Sequence, residues 1–109
     1  MLKVKFITIE DLLEMSANDQ KFKLVEVLQE EEFKNGHIPG AVNIPLDKLD
    51  SLASKYLKKS DTVIVYCASH SCQASTKAAR VLLQMGYRKT LDFKAGKRGW
   101  LHVGLELEK

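Results

Sequence analysis

The most strand-like segment of the chain is Thr62-Val63-Ile64-Val65-Tyr66, which is followed by Cys67 and the polar loop Ala68-Ser69-His70-Ser71-Cys72-Gln73. Because residues 63–66 carry no charge, we expect a strand buried on both faces, as central strands of parallel sheets are. Apolar residues recur after the loop at spacings of three and four, which predicts a helix from Ala74 that ends near Gly86. A strand, a loop and a helix in this order form the basic unit of parallel α/β sheets.

The same alternation of strands and helices extends in both directions from this unit. It predicts an α/β fold with a mainly parallel sheet. Thr8 and Asp11 form a capping-box pattern at the start of the first helix. The predicted strands are 4–6, 22–28, 42–44, 62–66 and 90–93, and the predicted helices follow Thr8, Glu30, Leu49, Ala74 and the loop before Trp100.

Length and composition limit the class of protein. A chain of 109 residues with 45% hydrophobic and 28% charged residues fits a single globular domain spanning 1–109. The sequence has no run of the ~20 apolar residues that cross a bilayer and no apolar signal core at its start, so we expect a cytoplasmic protein without a membrane partner. The net charge of +3 is too small and too mixed to predict a nucleic-acid partner.

Cys67 is the candidate nucleophile, because the central strand ends there and a helix begins soon after. Ligands of open α/β sheets bind at the carboxyl ends of strands, and helix N-termini hold anions. We expect this field to lower the pKa of Cys67 and to favour its thiolate. A buried cysteine that acts as a small hydrophobic residue is the alternative, although the polar loop argues against it.

Four segments give the chain a resemblance to the single-domain rhodaneses, a family of sulfurtransferases. The segments, in order, are Leu24–Val27, Glu32–Pro45 with its Gly-His-Ile-Pro-Gly-Ala run, Val63–Cys67, and Lys94–Trp100. The resemblance implies a rhodanese-like three-layer domain, with a five-stranded, mainly parallel sheet flanked by helices. It also implies that Cys67 accepts a sulfane sulfur as a persulfide from thiosulfate or another persulfide. The sulfur then passes to cyanide or to a thiol, which could belong to a protein, without any cofactor.

The loop departs from the family pattern, in which an Arg stands five residues after the cysteine. Here that place holds Cys72, followed by Gln73, and 68–75 contains no Arg or Lys. Related phosphatases grip phosphate with such an Arg, so phosphatase activity is disfavoured. We expect the backbone amides of Ala68, Ser69, His70, Ser71, Cys72 and Gln73 to hold the anion. The basic residues nearby form either a diffuse positive rim around the site or, as we expect, a solvated face; they are Lys77, Arg80, Lys94, Lys97 and Arg98.

Cys72 has two interpretations. It is either a resolving thiol that attacks an oxidised Cys67 to leave a disulfide, or a bystander at the helix start. His70 also has two interpretations. It either lies near the Cys67 thiolate, where it donates a hydrogen bond or carries a proton, or it is an exposed loop residue. Two cysteines and one histidine in the loop are too few for a structural zinc, so no metal is predicted. The sequence therefore predicts a sulfurtransferase enzyme, with a Cys67–Cys72 thiol–disulfide oxidoreductase or a non-catalytic binding or regulatory module as alternatives.

Overall fold

The computed structural model describes residues 3–109, and within them five strands form one sheet. Helices and strands alternate along the chain as the sequence predicts. The strands are β1 (Lys5–Ile7), β2 (Lys23–Glu26), β3 (Val42–Asn43), β4 (Val63–Tyr66) and β5 (Thr90–Phe93), and the helices are α1 (Ile9–Ala17), α2 (Glu30–Lys34), α3 (Leu49–Tyr56), α4 (Ala74–Gln84) and α5 (Gly96–His102). A short 3₁₀ turn, Leu46–Lys48, precedes α3 and was not expected.

The strand order in the sheet is β1-β5-β4-β2-β3, and each pairing within it is parallel. The most strand-like segment therefore forms the middle strand, with β5 on one side and β2 on the other. All four residues of β4 are buried. Because the strands are parallel, their carboxyl ends meet at one edge of the sheet, and Cys67 lies at the centre of that edge.

Helices cover both faces of the sheet and make a three-layer domain. Val63 and Val65 of β4 pack with α3 and α4, while Ile64 and Tyr66 pack with Leu12 of α1 on the other face. This separation follows from the two-residue period of a strand. The α/β class and the mainly parallel sheet predicted from the sequence are confirmed.

Four strand predictions differ in their boundaries, and two of them by one residue only: 42–44 is Val42–Asn43 and 62–66 is Val63–Tyr66. The strand expected over 22–28 covers Lys23–Glu26, and the edge strand expected over 4–6 covers Lys5–Ile7. The predicted capping box of α1 is present, because the Thr8 hydroxyl accepts from the Asp11 amide at 3.1 Å and the Asp11 carboxylate accepts from the Thr8 amide at 2.9 Å. None of the helices described in 3–109 is long and apolar enough to cross a membrane.

Candidate active site

Cys67 is the first residue after β4, and its side chain is completely buried. Its Sγ lies 3.6 Å from the carbonyl oxygen of Cys72. Ser75, in the first turn of α4, lies beside this sulfur and lowers the pKa of Cys67, although other effects outweigh it. The Ser75 hydroxyl is buried and has no hydrogen-bond partner among residues 3–109. The strand end and the helix start therefore converge on one thiol, as the sequence predicts.

The loop between β4 and α4 is a compact turn with an exposed tip. The Cys72 amide donates to the Ser69 carbonyl at 3.0 Å, and the hydroxyls of Ser69 and Ser71 are 3.0 Å apart. Residues Ala68, His70, Ser71 and Gln73 are exposed, whereas Ser69 and Cys72 are partly buried. The Gln73 side chain makes no capping bond to α4 within the described chain.

The two cysteines of the loop are in contact, because the Cys67 thiol donates to the Cys72 carbonyl at 3.6 Å, and each thiol shifts the pKa of the other. Both are free rather than disulfide-bonded. The Cys72 sulfur also accepts hydrogen bonds from the backbone amides of Ala68 and Ala74. The Cys72 sulfur therefore occupies an anion-binding nest of backbone amides directly beside Cys67.

The acidities of the two thiols are the reverse of the sequence-based expectation, which gave Cys67 the lowered pKa. Burial raises the pKa of Cys67, and the hydrogen bond with Cys72 raises it further, which together outweigh the opposing effect of Ser75. Burial also raises the pKa of Cys72, but the hydrogen bond from Cys67, the two amides and the charge of Lys94 lower it overall. The predicted lowering of the Cys67 pKa is thus wrong, because desolvation and the neighbouring sulfur exceed the field of the helix.

Lys94 corrects a second expectation, because it belongs to the site rather than to a solvated face. Its ammonium donates to the Cys72 carbonyl at 2.7 Å and to the Thr76 hydroxyl at 3.1 Å. Thr76 in turn donates to the buried carboxylate of Asp92 at 2.8 Å. β5 neighbours β4, so the residue that follows β5 reaches the loop that follows β4. The loop lacks a cation of its own, but the adjacent strand supplies one.

The N-terminal end of α5 holds the start of the loop. The amides of Lys97 and Arg98 donate to the carbonyls of Cys67 and Ala68 at 3.0 and 2.9 Å. The close approach requires Gly96, because a Cβ at this position would lie 2.2 Å from the Cys67 carbonyl oxygen. The backbone of Cys67 is therefore fixed from both sides, by β4 and by α5.

Lys97 is also not part of a solvated face, since its side chain is only 14% exposed. Its ammonium lies 3.0 Å from the buried carboxylate of Glu26, at the end of β2, and donates to the Glu32 carbonyl at 2.8 Å. The Tyr66 hydroxyl donates to the other Glu26 oxygen at 2.8 Å. Burial raises the pKa of Glu26, although the hydrogen bonds from Tyr66 and Lys97 partly offset this effect. This network anchors α5 to the sheet.

A cleft of about 550 Å³ opens beside the loop tip. Of the residues in 3–109, Ser69, His70, Ser71 and Arg98 line it but Cys67 does not. His70 also lines an adjoining cleft of about 560 Å³ that reaches Lys94. His70 is thus exposed at the mouth of the site, one of the two positions expected from the sequence. Arg98 is exposed as expected.

The sheet order and the cysteine loop define a three-layer α/β domain with a thiol at the carboxyl edge of its parallel sheet, and comparison with known proteins gives its family. Residues 8–102 match the family model of the rhodanese-like domain. The chain therefore belongs to the rhodanese-like family, whose members include proteins named as sulfurtransferases. This confirms the resemblance seen in the sequence.

Three similar proteins illustrate the relationship. A sulfurtransferase of Allochromatium vinosum is 30% identical over 104 residues, which cover 95% of this chain and 94% of that protein. The putative sulfur carrier protein YrkF of Bacillus subtilis is 31% identical over 94 residues, which cover 86% of this chain but only 49% of that protein. The crystal structure of protein BH2092 from Bacillus halodurans has a TM-score of 0.87 and 30% identity, covering 95% of this chain and 76% of that one. The chain thus spans about half of YrkF.

Proposed function

We propose that the protein carries a sulfane sulfur as a persulfide on Cys67 and passes it to a thiol or to cyanide. The observation that carries this proposal is the placement of the buried Cys67 between the end of β4 and the loop that leads into the first turn of α4. A persulfide at this position is anionic, and the N-terminus of α4 stabilises an anion there. The surrounding protein protects the stored sulfur from bulk solvent, as a carrier requires.

The reaction needs only thiol chemistry. In the loading step a thiolate attacks the outer sulfur of the donor, a new S–S bond forms, and the donor leaves with the electron pair of the broken bond. In the unloading step an acceptor thiolate attacks the outer sulfur in the same way and regenerates the thiol. We propose a small anionic donor, of which thiosulfate is the simplest, and a thiol acceptor of a small molecule or a protein. No cofactor takes part in this scheme.

Intact-mass measurement tests the proposal. Incubation with thiosulfate or with glutathione persulfide, followed by desalting, is expected to add the mass of one sulfur atom to the protein. Peptide mapping is expected to place the sulfur on Cys67, and dithiothreitol is expected to remove it. The Cys67→Ser variant is expected to retain no sulfur after desalting. A wild-type protein that gains no sulfur from either donor would contradict the proposal and favour a non-catalytic binding or regulatory module.

A thiol–disulfide oxidoreductase is the second candidate, favoured by the contact between two free cysteines, in which the Cys67 sulfur lies 3.6 Å from the Cys72 carbonyl oxygen. In this scheme the Cys72 thiolate attacks the inner sulfur of a Cys67 persulfide, and hydrogen sulfide leaves as the disulfide forms. Loaded protein would then release sulfide in the absence of an acceptor and lose two free thiols. Stable loaded protein, without sulfide release, would eliminate this second candidate.

A further inference from the structure

Cys67 is well placed to store a sulfur atom but poorly placed to collect one. Its side chain has no exposed surface, and the cleft beside the loop is lined by residues of the loop tip instead. Displacement at sulfur requires the attacking sulfur to touch the donor in line with the bond that breaks. A donor therefore cannot reach Cys67 in this conformation.

Cys72 has the properties that Cys67 lacks. It is partly exposed, and its sulfur is held by the amides of Ala68 and Ala74, with the ammonium of Lys94 bound to its own carbonyl at 2.7 Å. Amides and a nearby cation favour a thiolate over a thiol. The lowered pKa of Cys72 agrees with this arrangement. Neither cysteine lines the clefts beside the loop tip, but of the two only Cys72 retains exposed surface and can meet a donor in this conformation.

The geometry points to a two-cysteine relay, in which Cys72 takes the sulfur from the donor and hands it to Cys67, which it already contacts. This inference rests on the proposed function and adds a second catalytic residue to it. The contact between the two thiols makes the internal transfer a displacement between neighbouring atoms, with no movement of substrate through the protein.

The atoms and electrons of the relay balance without an added oxidant or reductant. With thiosulfate, the Cys72 thiolate forms a bond to the outer sulfur, the bond from that sulfur to the sulfonate breaks, and sulfite leaves with the electron pair. The Cys67 proton then moves to the outer sulfur of the Cys72 persulfide. The Cys67 thiolate attacks that sulfur, and the electron pair of the breaking bond returns to Cys72. The product is a persulfide on Cys67 and the original thiolate on Cys72, so neither cysteine is oxidised to a disulfide.

Rapid-quench loading tests the relay in the complete chain. Protein is mixed with thiosulfate or with glutathione persulfide, trapped with iodoacetamide at short intervals, and mapped by peptide mass spectrometry. In the wild type the sulfur is expected first on Cys72 and later on Cys67. In Cys67→Ser the sulfur is expected on Cys72 when the sample is trapped directly, and it is expected to be lost when desalting comes before trapping. In Cys72→Ser, loading of Cys67 is expected to slow by about tenfold or more near neutral pH, because the remaining thiol is completely buried and the donor must wait for the loop to open.

The outcomes separate this inference from the function on which it rests. Loading of Cys67 in Cys72→Ser at the wild-type rate, or wild-type sulfur that appears on Cys67 without passing through Cys72, would overturn the relay and leave the carrier function intact. A wild type that takes no sulfur from either donor would overturn both. If Cys72→Ser does not fold, as judged by its thermal unfolding, the order of appearance in the wild type still decides the question.

Discussion

Replacement of Gly96 by alanine is expected to destabilise the protein and to disturb the cysteine loop. Gly96 has a φ of +61°, and a Cβ there would lie 2.2 Å from the Cys67 carbonyl oxygen, about 1.2 Å short of an ordinary contact of 3.4 Å. The nearest atoms are backbone, so no side-chain rotation relieves the clash. Either α5 or the loop must move away.

The expected cost follows from two terms. An alanine in the left-handed region costs about 1–2 kcal/mol. Movement of α5 also breaks the bonds from Lys97 and Arg98 to the carbonyls of Cys67 and Ala68, at about 0.5–1.5 kcal/mol each. We therefore expect Gly96→Ala to lower the free energy of unfolding by about 2–5 kcal/mol, as measured by urea denaturation.

Gly104→Ala is the matched control, because Gly104 has a φ of +88° and no neighbouring atom within 4 Å of the added Cβ. It carries the backbone strain without the clash, so we expect a cost of about 1–2 kcal/mol and unchanged loading of Cys67 with sulfur. Equal destabilisation by the two substitutions would refute the proposed close packing of α5 on the cysteine loop.

Three further substitutions test the charges and hydrogen bonds around the site. Lys94→Gln is expected to raise the pKa of Cys72, because a nearby positive charge is lost. The pKa can be followed by the rate of Cys72 alkylation in the folded protein as a function of pH, measured on the Cys72 peptide after digestion. An unchanged pH profile would argue against the role of Lys94. Lys97→Met is expected to cost about 3–5 kcal/mol while Glu26 is ionised, and less as the pH falls through the raised pKa of Glu26, because a protonated carboxyl no longer needs a cation; a cost from urea unfolding that does not change with pH would contradict this. Tyr66→Phe leaves one oxygen of Glu26 without its donor and is expected to lower the unfolding free energy by about 1–3 kcal/mol, whereas a change below ~0.5 kcal/mol would show that the bond is unimportant.

Stability is also expected to depend on pH through Glu26. Its pKa in the folded protein is raised above the ordinary value of 4.5, so the folded state binds more protons than the unfolded state above that pH. The free energy of unfolding should therefore fall as the pH increases from about 4.5 through the folded-state pKa. Glu26→Gln is expected to remove this part of the pH dependence. A slope that is unchanged in Glu26→Gln would assign it to other groups.

The fold was predictable because its information is local. The uncharged run of β4 identified a central strand, and its residues divide between the two faces of the sheet with the period of two that a strand imposes. The ends of elements were less predictable. β2 ends at Glu26, although the apolar sequence continues through Leu28. The Val27 amide makes one more bond, to the Tyr66 carbonyl, and the chain then leaves the sheet.

The site was only partly predictable, because its decisive contacts come from other strands. The position of Cys67 follows from β4 alone, and the sequence placed it correctly at the sheet edge. The role of Lys94 depends on β5 lying next to β4, a neighbour relationship that the strand order sets and the sequence does not state. Given that order, the residue after β5 was the natural candidate for a cation beneath the loop. The burial of Lys97 against Glu26 was likewise not predictable, because it depends on how closely α5 approaches the end of β2.

The direction of the thiol acidities shows why position alone was insufficient. A helix N-terminus favours whichever sulfur its first amides face, and α4 offers the Ala74 amide to Cys72 and the Ser75 amide to Cys67. Two adjacent thiols cannot both be ionised cheaply, because like charges in contact disfavour each other. Burial then decides which one keeps its proton, and Cys67 is the more buried of the two. The contact between the two cysteines therefore raises the pKa of Cys67 and lowers that of Cys72, so the acidity belongs to the pair rather than to either residue alone.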